Sequence, residues 1–129
     1  LPKDLAGKVF VVDFWATWCG PCVAEVPEMK KIYAEYKPKG VEFVGISLDK
    51  DVKKMAEFVK EKQMGWLHSC TGLGWDDPTF KKLGLEGIPS VWVVGKDGRV
   101  VSDNARGKLP ETLNKALAGT ATRPAGVRE

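Results

Sequence analysis

The sequence predicts an α/β domain: a central mixed sheet with helices on both faces and a terminal antiparallel hairpin. Three observations carry that expectation. Apolar strand-like runs alternate with stretches of helical periodicity from Val9 to Leu83. Two short apolar runs near the end are joined by Gly95-Lys96-Asp97-Gly98, a hairpin turn. A pair of cysteines, Cys19-Gly20-Pro21-Cys22, sits where the first strand gives way to the first helix.

Taken in order, Leu1 to Lys8 is an approach segment broken by Pro2 and Gly7. Val9 to Trp15 is apolar apart from Asp13, the pattern of a strand covered on both faces. Pro21 to Tyr36 is helical, with Val23, Val26, Met29, Ile32, Tyr33 and Tyr36 on one stripe, and Pro27 predicts a kink near the second turn. Glu25 falls on the remaining, charged faces, and Pro38-Lys39-Gly40 ends the helix. Val41 to Leu48 is a second strand. Asp49-Lys50-Asp51 is a polar break, and Asp51 caps a lysine-rich helix over Val52 to Gln63. Trp66-Leu67-His68 is a short strand, Ser69 to Asp77 an ordered loop, and Thr79 to Leu83 a short helix stopped by Gly84. Val91 to Val94 and Arg99 to Ser102 form the hairpin, and Pro110 to Leu117 the last helix. One domain over 1–119 is expected, with 120–129 a frayed tail.

Composition narrows the function. The 129 residues are 43% hydrophobic and 29% charged, ordinary values for a soluble domain that needs no disulfide staple to fold. The net charge of +3 is spread along the chain, so no basic block points to nucleic acid. No apolar run approaches the length of a membrane span. Three cysteines leave at least one thiol unpaired within the chain.

The chemistry concentrates at Cys19 and Cys22. Residues three apart on the first turn of a helix bring their sulfurs within bonding reach. Proline on that turn loses no hydrogen bond, because its position has no helical acceptor. Cys19 falls at or just before the helix start, where unpaired N–H groups and the positive dipole end favour a thiolate. Cys19 is therefore the candidate nucleophile and Cys22 the resolving thiol. A structural disulfide is the weaker reading, since so small a loop is a poor staple. Half of a zinc site is another, with His68 and Cys70 the only other soft ligands. Asp13, alone in an apolar strand, is either a strand-end carboxylate reaching solvent or a backbone N–H, or an acid/base beneath the dithiol. Cys70 reads as a small, chemically silent hydrophobe.

These residues carry a resemblance. Val12-Asp13-Phe14-Trp15-Ala16-Thr17-Trp18-Cys19-Gly20-Pro21-Cys22 resembles the active-site signature of the thioredoxin superfamily. Pro27 falls at that family's helix-kinking proline, Gly84-Leu85-Glu86-Gly87-Ile88-Pro89-Ser90 at its cis-proline segment, and Lys96-Asp97-Gly98 at its terminal hairpin. The wording Phe14-Trp15-Ala16-Thr17-Trp18-Cys19, and the extra length around Val52–Gln63, are similar to the TlpA/ResA-like branch. Two departures stand out. Asp13 occupies the thioredoxin acid position, where many members of the branch carry asparagine, and Gly45 takes the place of the lysine that accompanies that acid.

The resemblance implies a thioredoxin-like fold and an extracytoplasmic thiol–disulfide oxidoreductase. Such a protein reduces particular protein disulfides and is itself reduced by an upstream electron donor. It implies Cys19 as nucleophile, Cys22 as resolving cysteine and Asp13 as proton acceptor. Trp18, Gly20, Pro21, Ile88 and Pro89 would line the docking surface, with a cis bond at Ile88–Pro89. No cofactor beyond the Cys19–Cys22 disulfide is expected, nor nucleic acid, nor membrane insertion by this segment, and the expected state is a monomer. A copper or zinc carrier using Cys19, Cys22 and His68 is the alternative from another class. A peroxidase fits less well, because no threonine–arginine frame surrounds Cys19.

Overall fold

A computed structural model describes residues 7–119; the expected approach segment up to Ala6 and the frayed tail over 120–129 lie outside them. Five strands and five helices follow one another as β1 (Val9–Trp15), α1 (Gly20–Ala24), α2 (Val26–Tyr36), β2 (Val41–Ser47), α3 (Val52–Glu61), β3 (Leu67–Cys70), α4 (Pro78–Leu83), β4 (Ser90–Val94), β5 (Val100–Ser102) and α5 (Leu109–Leu117). The sheet order is β3-β2-β1-β4-β5. β1, β2 and β3 run parallel, while β4 is antiparallel to both β1 and β5. This is the mixed sheet with a terminal hairpin that the sequence predicts.

β1 is the centre strand, which explains its apolar run: neighbours on both edges and helices on both faces leave little of it to water. The chain steps outward from β1 to β2 to β3, so right-handed crossovers place α1, α2 and α3 on one face. Lys30 of α2 donates to the Lys62 carbonyl just past α3 (3.0 Å), and the Tyr36 hydroxyl donates to Asn114 of α5 (2.7 Å), joining these helices on that face. The step back from β3 to β4 carries α4 to the other face. There Phe14 meets Phe80 and Trp92 edge-on, at centroid distances of 6.1 and 5.4 Å.

Several expected boundaries move. The helix predicted over Pro21–Tyr36 is two helices broken at Glu25 rather than one kinked helix. Pro27 has no N–H to give the Val23 carbonyl, and the Glu25 N–H is shared between the Pro21 and Cys22 carbonyls instead. The third strand starts one residue later than expected and reaches Cys70, because Ser69 and Cys70 pair with Ile46 and Ser47 of β2. α3 ends at Glu61, and the chain turns at Gln63 through a left-handed φ of 54°. Asp51 caps α3 as expected, accepting from the Lys54 N–H at 3.0 Å. Asp77 caps α4 in the same way through Thr79 (2.9 Å).

Candidate active site

β1 ends at Trp15, and a short turn delivers Cys19 to the N-cap of α1 with an extended backbone (φ −92°, ψ 106°). Cys19 Sγ accepts the Cys22 N–H at 3.3 Å. The sulfur is thus held by one of the orphan donors of the helix start, the place where negative charge is favoured. Cys22 lies one turn in, bonded to Cys19 as a disulfide with a Cα–Cα distance of 5.2 Å. Both half-cystines are buried, whereas the adjoining Trp18 is 56% exposed. Gly20 and Pro21 are exposed over the disulfide, and a side chain added at Gly20 would meet no other atom within 4 Å. The surface around the disulfide is therefore open and apolar on the Trp18 side.

Beneath Cys22 lies a cleft of about 10 Å³ lined by Asp13, Trp15, Cys22, Glu25, Val26, Met29, Met64 and Trp66. That is room for about one water. Burial there, together with the nearby Glu25 charge, pushes the Asp13 carboxyl up to about 7. The residue opposite Asp13 on β2 is Gly45, so the neighbouring strand offers no cation to offset either effect. Asp13 therefore lines the cleft beneath Cys22 and is half-buried there. Glu25 is held by Arg106, which also lines a groove of about 430 Å³ formed by the 83–90 segment, Trp92 and Asp103. Ile88 and Pro89 lie in that groove, joined by a cis bond. Ser90, the next residue, pairs with Phe14 of β1, which brings the segment alongside the strand that leads to Cys19.

His68 is placed elsewhere. It sits on β3 in the same row as Asp13, with Gly45 between them. Its Nε2–H faces the Met64 carbonyl (3.2 Å), and burial lowers its pKa. Among the described residues no group of three or more His, Cys, Asp or Glu side chains could hold a metal ion. Cys70 is half-buried and donates its S–H to the Asp49 carbonyl at 3.2 Å. Cys70→Ala is expected to leave turnover and redox potential at wild-type values; a large change in either would give this thiol a part in the chemistry.

Sequence reasoning missed three residues here. Glu25, assigned to the solvated faces of its helix, lies in the cleft at the helix break. Its spacing of three from Cys22 was the available signal. Arg106 has no local signal, since its partner is far along the chain. Asp49, read as part of a polar break, is buried.

A reactive disulfide capping a helix, set at the end of the centre strand of a β3-β2-β1-β4-β5 mixed sheet, defines a thioredoxin-superfamily dithiol/disulfide protein. The chain belongs to the redoxin family, whose model matches residues 1–119, and within it the chain is ResA-like. It is 31% identical over 115 residues to the thiol-disulfide oxidoreductase ResA of Bacillus thuringiensis subsp. konkukian, covering 89% of this chain and 65% of that one. It thus spans just under two thirds of that relative's length. It is 53% identical over 59 residues to ResA of Oceanobacillus iheyensis, covering 46% of this chain and 31% of that one. The crystal structure of the thioredoxin domain of a thiol-disulfide oxidoreductase from Bacteroides vulgatus superposes with a TM-score of 0.76 at 27% identity, covering 88% of this chain and 82% of that one. The fold and the Cys19–Cys22 pair are thus those of a ResA-like member of the thioredoxin superfamily. Among the described residues no helix is long and apolar enough to cross a membrane.

Proposed function

We propose that this protein is a reductase of specific extracytoplasmic protein disulfides, acting as a monomer and needing no cofactor beyond its own dithiol. The observation that carries the reading is the Cys19 sulfur at the N-cap of α1, accepting the Cys22 N–H, with Cys22 bonded to it from inside the helix. In the reduced protein the Cys19 thiolate attacks one sulfur of a substrate disulfide. A Cys19–substrate bond forms, the substrate S–S bond breaks, and the other substrate sulfur leaves as a thiolate. Cys22 then loses its proton and attacks the Cys19 sulfur, which releases the second substrate thiolate and leaves the Cys19–Cys22 disulfide. Two electrons have passed to the substrate, and an upstream dithiol donor returns them.

Asp13 is the acceptor for the Cys22 proton. It lines the same cleft, which has the volume for one relaying water, and a carboxyl titrating near neutral pH both takes and returns a proton readily. Trp18, Gly20 and Pro21 flank the disulfide on one side, and the groove holding Ile88 and Pro89 receives an extended substrate segment. The extracytoplasmic setting rests on the resemblance to the TlpA/ResA-like branch.

The direction is tested by equilibrating the protein against glutathione redox buffers and following its tryptophan fluorescence. A midpoint near about −270 mV marks a reductant, and one near about −120 mV an oxidant that overturns the reductase reading. No reversible two-electron transition at all would overturn the redox reading itself.

A further inference from the structure

The turn from Trp15 to Cys19 is held from outside by one side chain. Asp49 lies two residues past the end of β2 and is 2% exposed. Its carboxylate accepts the Thr17 N–H (3.0 Å to one oxygen, 3.3 Å to the other), the Thr17 hydroxyl (2.5 Å) and the Ser47 hydroxyl (2.5 Å). The Ser47 oxygen in turn accepts the Asp49 N–H at 2.9 Å. A buried carboxylate tolerates desolvation when hydrogen bonds fill its lone pairs, and here neutral donors do so.

The rest of the turn is tied by main chain alone. The Leu48 N–H donates to the Trp15 carbonyl (2.8 Å), and the Cys19 N–H donates to the Ala16 carbonyl (3.2 Å). Thr17, between those two bonds, is the residue that Asp49 grips by both amide and hydroxyl. Two residues on stands the nucleophile.

We propose that Asp49 is the positioning residue for the nucleophile: by clamping Thr17 to Ser47 at the end of β2, it fixes the turn that places the Cys19 sulfur at the N-cap of α1. The inference rests on the redox reading above. When the clamp is released, the turn shifts and the sulfur moves off the Cys22 N–H that favours its thiolate. Misplacement by about 1 Å can cost on the order of a hundredfold in rate.

The test uses the reduced 129-residue chain and the pH profile of Cys19 alkylation by iodoacetamide. Thr17→Val keeps the shape and removes the hydroxyl, Thr17→Ser keeps the hydroxyl, and Asp49→Asn keeps the volume and loses the charge. The charged groups around the turn stay in place in all three: Asp13 and Glu25 below it, and Lys50, Asp51 and Lys54 around the groove beside Trp18. Thr17→Val and Asp49→Asn are expected to slow Cys19 alkylation at pH 7 by roughly tenfold to a hundredfold and to move its pH midpoint upward. Thr17→Ser is expected to restore the wild-type profile. A wild-type profile in Thr17→Val, whatever its melting temperature, would overturn the proposal and leave Asp49 a purely structural residue. Should Asp49→Asn fail to fold, Thr17→Val decides alone. Alkylation requires no protein substrate, so a failure of the reductase reading shows separately, as absent turnover in the wild type.

Discussion

Cys22→Ser is expected to accumulate a covalent complex through Cys19, and Cys19→Ser to form none. The two sulfurs have unlike surroundings. Cys19 caps α1 from the turn side and accepts a backbone N–H, while Cys22 faces the interior with Asp13 and Glu25. Cys19, next to the exposed Trp18, is the sulfur expected to meet an incoming disulfide. Removing it removes the nucleophile, and turnover is expected to fall by roughly a thousandfold or more, the scale of nucleophile deletion in other covalent enzymes. Removing Cys22 leaves the first step intact and blocks release. Non-reducing gels and intact-mass measurement after mixing each reduced variant with a disulfide-bonded peptide read the result. A stable adduct with Cys19→Ser, or faster iodoacetamide labelling at Cys22 than at Cys19 in the wild type, would reverse the two roles.

Asp13→Asn is expected to stabilise the oxidised protein at pH 8 and to leave it nearly unchanged at pH 4. The folded carboxyl titrates at about 7, against 3.8 for an ordinary aspartate. Between those values the folded state holds a proton that the unfolded state has released. Stability therefore falls as pH rises through that window, the opposite of a salt-bridged aspartate. At about 1.4 kcal/mol per unit, the loss is on the order of a few kcal/mol, discounted because Asp13 keeps partial contact with water. The amide variant has no such slope. Denaturant unfolding of the disulfide form across pH 4–8 measures it, and a wild type as stable at pH 8 as at pH 4 would count against a buried, unpaired acid. The same substitution is expected to slow resolution of the mixed disulfide more than its formation, because it removes the proposed acceptor for the Cys22 proton and leaves Cys19 untouched.

The parts of this molecule legible in the sequence are those set by local patterns. The apolar run of β1, the stripe on α2, the cap at Asp51 and the 95–98 turn each report their own structure within a few residues. The Cys19–Cys22 pair is legible for the same reason, since its spacing and its place after a strand contain the chemistry. What escapes is whatever depends on distant partners. Asp49 looks like a loop residue because loops carry aspartates. Its burial comes from Thr17, which reaches it only once β1 and β2 lie side by side. Glu25 looks solvated on a helical wheel, and only the break before Pro27 brings it into the cleft. Val52, an apolar residue at the start of α3, is 44% exposed, because the helix buries Met55 and lays Phe58 against Trp15.

Gly45 carries a consequence for how this site can change. A β-carbon at that position would lie 2.5 Å from His68 Nδ1 and 3.0 Å from Trp15 Nε1, so the imidazole and the indole occupy the space a side chain there would need. Both nitrogens are buried without a hydrogen-bond partner among the described residues. A lysine introduced alone to give Asp13 a counter-ion would collide with both rings before reaching the carboxylate. Positions 15, 45 and 68 are thus epistatic. A lysine at 45 therefore needs the imidazole at 68 and the indole at 15 to give way first.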